Sequence, residues 1–290
     1  MAVKFVAEVS SNHHQDLDRC LAFIDAAAEI GCDAVKFQLF KIDELFAPEV
    51  LIHSKVHQAR RQWELPHSFL PDLSRRCKER HLQFACTPFY LDGVSLLEPY
   101  VDFLKVASYE LLWDALLIAC AETGKPLVLS TGMATTEEIA HAVEVVRTAG
   151  CQALTLLHCV SGYPVPSSEC NLGAIDTIRE LSSCQVGWSD HSVNPSVLNR
   201  AVHHWGATMI EFHLDLDQTG SEYQTGHCWL PEEIGSVIAS IREGVEADGS
   251  GEKGPLELEQ EERSWRADPL DGLRPLQQMR KTWVESLSIQ

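Results

Sequence analysis

The sequence predicts a (β/α)8 barrel, an α/β TIM barrel followed by a short C-terminal extension. An amphipathic stretch that ends near a Gly and runs straight into a β-rich segment recurs in AAAEIGCDAVKFQ, AETGKPLVLS, RTAGCQALTLLHC and HHWGATMIEFH. The Gly suits the left-handed position that ends a helix. The nearly continuous apolar run after it suits a parallel strand buried on both faces. Eight such runs can be read along the chain, with helical patterns between them, and that alternation closes into a barrel. The competing architecture is a doubly wound open sheet. Neither a GxGxxG nor a GxxxxGKS turn supports it.

In chain order, strands are expected at 3–9, 34–38, 83–87, 103–106, 126–130, 153–158, 185–189 and 209–213. Helical periodicity fills 17–30, 68–80, 136–148, 196–205 and 232–246. Thr135 or Thr136 ahead of Glu137 and Glu138 marks a helix start, because a hydroxyl caps the first N–H groups and carboxylates suit the positive end of the dipole. The barrel is expected over 1–247, with a linker and extension over 248–290. ADGSGEKGPLELEQEER is Gly-containing and charge-dense, as a solvated linker would be. Beyond it, Trp265, Trp283, Arg266 and Arg274 are types enriched at interfaces. This tail is expected to dock, either on an apolar patch of its own barrel or with Arg266 or Arg274 reaching a partner subunit.

The 290 residues are 45% apolar and 22% charged, which excludes a mainly disordered or collagen-like chain. With 23 Lys+Arg against 42 Asp+Glu the formal charge is −19. That balance argues against nucleic acid or an anionic membrane as the main partner. A small anionic substrate stays possible where a few lysines dominate a cleft. No run approaches the roughly 18 apolar residues of a membrane span, and MAVKFVAEVSSNHH turns polar too early for a signal peptide. Ten scattered cysteines without a CxxC pair read as reduced, buried thiols. A cytoplasmic location is therefore expected.

Active-site groups of such a barrel stand at the C-terminal strand ends. The expected rim carries Glu8, Asn12 and His13; Lys36 and Gln38; Thr87; Lys105, Ser108 and Glu110; Ser130 and Thr131; His158, Ser161 and Tyr163; Ser189, Asp190 and His191; Glu211 and His213. Lys36 in AVKFQ and Lys105 in FLKVAS are flanked by apolar residues, where an unpaired ammonium is costly. Anion binding is the preferred reading and an internal ion pair the alternative. His191 and His213 close neighbouring strands, so they either share a metal or make ordinary hydrogen bonds. Imidazoles suit Mn, Fe, Co, Ni or Zn better than Mg or Ca.

AEVSSNH, AVKFQLFK, CTPF, LKVASYE, STGM, LHCVSGYP, GWSDHS and IEFHLDLD resemble, in order, the strand-end motifs of the N-acetylneuraminate (sialic acid) synthase family. The resemblance runs from about Val3 to Ala247. It implies a phosphoenolpyruvate-dependent transferase that condenses an N-acetylated hexosamine-type aldehyde into a sialic-acid-like nonulosonic acid and releases phosphate. It places phosphoenolpyruvate contacts on Lys36, Thr87, Lys105, Ser108, Tyr163 and Ser189, with Ser161 toward the carboxylate. His191 and His213 would be the metal ligands, with Glu211 near a metal-bound water. The implied ion is divalent, Mn²⁺ first, with Mg²⁺ or Co²⁺ as alternatives. Glu8, Gln38 and Glu110 would face the amino-sugar acceptor, and a homodimer is implied.

The departures are specific. The usual Asn-His-Asn-Gly reads Asn12-His13-His14-Gln15, the usual Asn before the strand-six tyrosine is Ser161, and the usual Glu-Lys-His reads Glu211-Phe212-His213. The Gly-Pro-Asp sugar contact reads Gly220-Ser221-Glu222, which makes Glu222 a substrate candidate. The antifreeze-like domain that follows the barrel in many relatives has no counterpart within these residues. Two rivals remain: a Schiff-base pyruvate aldolase using Lys36 or Lys105, and a non-catalytic sugar-acid-binding relative.

Overall fold

The computed structural model describes residues 3–287. Its centre is a parallel barrel of β1 (Lys4–Glu8), β2 (Ala34–Leu39), β3 (Gln83–Pro88), β4 (Phe103–Val106), β5 (Leu127–Ser130), β6 (Leu154–His158), β7 (Gln185–Asp190) and β8 (Met209–Leu214). Neighbours pair in chain order, and β8 returns to β1 with Lys4 opposite Met209 and Glu8 opposite His213. The helices between and after them are α1 (Leu17–Glu29), α2 (Leu70–Glu79), α3 (Leu91–Leu97), α4 (Asp114–Glu122), α5 (Thr136–Thr148), α6 (Ala174–Ser182), α7 (Pro195–His203) and α8 (Pro231–Ala247). The expected strands therefore lie within a residue or two of the observed ones. Thr135 caps α5 in a full capping box with Glu138, a reciprocal pair that satisfies two orphan N–H groups.

Strand periodicity divides the core into two layers. Phe5, Val35, Phe84, Leu104, Leu129, Trp188 and Ile210 face the helices in one large cluster. The opposite phase fills the barrel's interior with Val6, Ala34, Ala85, Phe103, Val128, Leu157 and Met209. Gly187 occurs in β7 because a Cβ there would stand 2.3 Å from the Met209 carbonyl of β8. Further along the strands that inner phase turns polar. The interior is thus plugged at the N-terminal end and open at the C-terminal end.

Two features lie outside the sequence-based reading. The β2–α2 connection folds into short helices at Ile42–Leu45, Pro48–His53 and Lys55–Ala59, then a 3-10 turn at Arg60–Trp63. A two-residue strand, β9 (Cys228–Trp229), pairs in parallel with His213 and Leu214 of β8. The described chain divides into two compact units, one to Glu246 and one from Ala247. The second contains short helical segments at Glu257–Glu259 and Gln260–Ser264 and a helix at Gln277–Leu287. Asp268 organises it, accepting from the backbone N–H of Leu270 and Gln277. Among the described residues no helix is long and apolar enough to cross a membrane.

Candidate active site

The polar phase of the strands opens into a cavity of about 870 Å³ at the C-terminal mouth, a volume suited to small organic ligands. Glu8, Lys36, Gln38, Lys105, Ser189, His191, Glu211 and His213 line it. Ser108 and Glu110 join from the 3-10 turn after β4, Tyr163 from the loop after β6 and Glu222 from the helical turn Ser221–Thr225. Thr87 lies fully buried beneath, accepting from Lys36 Nζ at 3.3 Å. Ser161 is not among the lining residues, and its buried hydroxyl has no partner. It lies against Gly132, where a Cβ would stand 2.5 Å from Ser161 Oγ and 2.8 Å from Ser108 Oγ. The Gly132 N–H donates to Ser108 Oγ at 3.0 Å, so bare backbone sets that hydroxyl.

Not every polar residue expected at the rim faces this cavity. His158 and Asp190 fall on the outward phase. His158 Nε2 meets the Cys170 carbonyl at 3.0 Å, while Asp190 accepts from the indoles of Trp188 and Trp229. Thr131 turns its hydroxyl to the Leu157 carbonyl. Position along a strand alone does not decide direction; the period of two does.

At the cavity floor two buried ammonium groups meet two buried carboxylates. Lys36 is 3% exposed, Lys105 2%, Glu8 1% and Glu211 5%. Lys36 pairs closely with Glu8 and stands 3.7 Å from Glu211 Oε2. Lys105 Nζ lies 3.4 Å from Glu211 Oε1, which also accepts from Ser189 Oγ at 3.0 Å. Burial pulls the Lys36 ammonium down to about 8, against the attraction of Glu211 and with Lys105 adding to the fall. Burial pushes Glu211 upward, but Lys105, Lys36 and the Ser189 hydroxyl outweigh it and hold the carboxyl down to about 2. The internal ion pair, the alternative reading of the two lysines, is thus what the floor shows: two ammonium groups are matched by two carboxylates, and an anionic ligand would compete with Glu8 and Glu211 for them.

Imidazoles form the next layer. His191 Nδ1 donates to the Val160 carbonyl at 2.8 Å, so Nε2 keeps its lone pair. Its ring centroid is 5.4 Å from that of His213 and 4.2 Å from that of Tyr163. Burial, with His213 nearby, pulls His191 down to about 3, so it is neutral at physiological pH. His213 Nδ1 is 2.7 Å from Glu222 Oε2. Burial would raise the Glu222 carboxyl, yet His213, His227 and Ser10 hold it well below the usual range. Imidazoles beside an ionised carboxylate fit a borderline divalent metal. His213, Glu222, His227 and Cys228 also place one potential ligand atom each within 4.8 Å of the others.

The upper wall comes from the β2–α2 connection, which contributes Phe46, His57, Arg60 and Trp63. The Arg60 guanidinium lies 5.5 Å over the Phe46 ring and 5.6 Å from that of Trp63. Gln15 anchors this wall by donating to the Arg61 and Glu64 carbonyls. Neither the wall nor His227 was singled out from sequence. The wall has four-to-six-residue helices, too short for periodicity to register, and β9 is too short for an alternating pattern. The one available signal was the density of aromatic and basic types in HQARRQW.

A model of the NeuB family matches residues 23–253. The chain is 33% identical over 268 residues to an N,N'-diacetyllegionaminic acid synthase from Campylobacter jejuni, covering 88% of this chain and 80% of that one. It is 28% identical over 260 residues to a pseudaminic acid synthase from Helicobacter pylori, covering 86% and 76%. Among solved structures it is similar to the N-acetylneuraminic acid (sialic acid) synthetase from Leptospira borgpetersenii in complex with citrate. That pair shares 30% identity and a TM-score of 0.81, with 90% of each chain covered.

Proposed function

The chain belongs to the NeuB family, a family of sialic-acid-type synthases and hence transferases, and from that premise we propose that it condenses phosphoenolpyruvate with an N-acetylated hexosamine-type aldehyde, giving a sialic-acid-like nonulosonic acid and phosphate. The observation that carries this reading is the pair of buried ammonium groups, Lys36 and Lys105, set among Glu8, Glu211 and the hydroxyls of Thr87 and Ser189 at the floor of an open cavity. The synthase barrel is assigned to 1–247 and the linker and extension to 248–290.

The two lysines bind the phosphate and carboxylate of phosphoenolpyruvate, with Ser108 and Tyr163 offering hydroxyls from the wall, while Thr87 and Ser189 orient Lys36 and Glu211 from below. Ser161 lies behind Gly132 and acts through the packing of Ser108. Glu8, Gln38 and Glu222 face the acceptor, and Phe46, Arg60 and Trp63 cover it from water. His191 and His213 would hold the metal, Mn²⁺ before Mg²⁺ or Co²⁺, with Glu211 on a nearby water; when bound, the metal supplies Lewis acidity to the acceptor's aldehyde oxygen. The enol carbon forms the new C–C bond, water adds at C2, and C–O cleavage releases phosphate.

Glu110 is placed to move the proton at its Oε2, which is buried without a partner. Burial pushes its carboxyl up to about 7, with Lys105 pulling the other way. The neutral acid tolerates an anionic substrate; the carboxylate repels it. kcat/KM for phosphoenolpyruvate is therefore expected to fall as pH rises through about 7, and Glu110→Gln should lose that inflection. A variant keeping the wild-type pH profile would remove Glu110 from proton handling. The same raised value means the folded state holds the extra proton. Its contribution to stability is thus present below about 4.5 and is lost as pH rises through about 7.

The test of the whole reading is phosphate release with Mn²⁺, phosphoenolpyruvate and a panel of N-acetylated hexosamines. Acceptor-dependent phosphate is expected. Intact phosphoenolpyruvate with every acceptor would favour the non-catalytic binding relative. Borohydride trapping of pyruvate on Lys36 or Lys105 would favour the aldolase.

A further inference from the structure

We propose that His227, on the segment joining β8 to β9, is a further nitrogen ligand of the divalent metal beside His191 and His213, with the Glu222 carboxylate between the His213 and His227 imidazoles. This rests on the metal-dependent reading above and deepens it. His227 is buried at the cavity wall, 6% exposed. Its ring centroid is 5.0 Å from that of His213 and 5.0 Å from that of Tyr163.

The tautomer follows from one hydroxyl. Thr225 Oγ1 donates its single proton to the Glu222 carbonyl at 2.8 Å. Toward His227 Nδ1, also at 2.8 Å, it can therefore only accept. Nδ1 carries a hydrogen, and in the neutral ring Nε2 holds the lone pair. That lone pair lies 3.7 Å from Glu222 Oε2, beyond hydrogen-bonding distance. The same Oε2 meets His213 Nδ1 at 2.7 Å, so the two imidazoles converge on one carboxylate oxygen. A divalent cation among the three would be met by all of them. Ligand atoms on one ion at about 2.1 Å stand no more than roughly 4.2 Å apart, so a cluster within 4.8 Å needs only small adjustments to close on one.

The segment is also held in advance. Arg19 ties Asp215 and Asp217 to the loop after β1, donating as well to the Asn12 carbonyl at 2.6 Å. Asn12 Nδ2 donates to the Leu214 carbonyl at 3.0 Å. Ser10 and Ser11 hydroxyls donate to Glu222 Oε1, leaving Oε2 toward the histidines. The hydrogen bond that orients His227 is of the kind that outer partners of metal-binding histidines make.

The rival is a protonated His227 ion-paired with Glu222. Mn²⁺ titration calorimetry on chelator-treated protein, with the visible spectrum of the Co²⁺ form, separates the two. His227→Ala and His227→Asn, the latter guarding against a packing defect, should each weaken Mn²⁺ at least tenfold and alter the Co²⁺ bands. Thr225→Val should weaken it less, because only the tautomer control is lost. Wild-type Mn²⁺ affinity and Co²⁺ spectrum in both His227 variants overturn the inference alone. Absence of Mn²⁺ binding by the wild-type chain overturns the metal-dependent reading and the inference with it.

Discussion

His213→Ala is expected to lower acceptor-dependent phosphate release by about 10³ or more, because a Lewis acid on the aldehyde contributes several kcal/mol, and about 4 kcal/mol is a thousandfold in rate. His213 meets the candidate ligands from every side: Glu222 at 2.7 Å and the rings of His191 and His227 at 5.4 and 5.0 Å. Chelator treatment of the wild type should produce the same loss, and Mn²⁺ should restore the wild type but not the variant. A stripped His213→Ala protein that still turns over at more than a tenth of the wild-type rate would contradict the metal-dependent mechanism. The assay needs only phosphate detection and a metal analysis of each preparation.

The second large effect concerns Lys105. Lys105→Met is expected to weaken phosphoenolpyruvate by about 1.5–3 kcal/mol, roughly 10- to 150-fold, the scale of a hydrogen bond to a charged group. Calorimetry reads this directly. The same change leaves Glu211 with one buried cation instead of two. Breaking a buried pair by removing one partner typically costs about 3–5 kcal/mol of stability, so thermal unfolding should shift down as well. Adding Glu211→Gln separates the effects: the double variant should regain part of its stability while phosphoenolpyruvate binding stays weak. Wild-type affinity in Lys105→Met would remove the lysine from the substrate site.

The barrel was legible because its signals are local and repeated. Each helix-ending Gly and each apolar run could be read within a dozen residues, and the β1–β8 closure follows from the count. The cavity floor was legible for a related reason: Lys36 and Lys105 are charged residues inside apolar strands, an expensive placement that calls for a purpose. Their counter-ions were not legible. That Glu8 and Glu211 hold them depends on the register between β1, β2 and β8. His158 and Asp190 show the opposite limit, since both end strands and yet point toward the helices. His227 was missed because a two-residue strand leaves no periodic trace. Phe46, Arg60 and Trp63 reach the cavity through several short turns, and no single window of sequence reports that path.

The Arg19 clasp has a consequence for how such an enzyme can change. By holding the Asn12 carbonyl together with Asp215 and Asp217, it stitches the first loop of the barrel to the last, across the seam where the strand order closes. The arc from β8 round to β1 is then a single frame. The β2–α2 wall is tied to it by Gln15 and by His13 at the Trp63 backbone and is built largely from its own short turns. If the proposed acceptor lies against this wall, drift in residues 42–63 would alter which sugar is welcomed while the frame beside it keeps its alignment. Diversification of acceptor choice has a panel it can exchange, and the chemistry opposite need not be rebuilt each time.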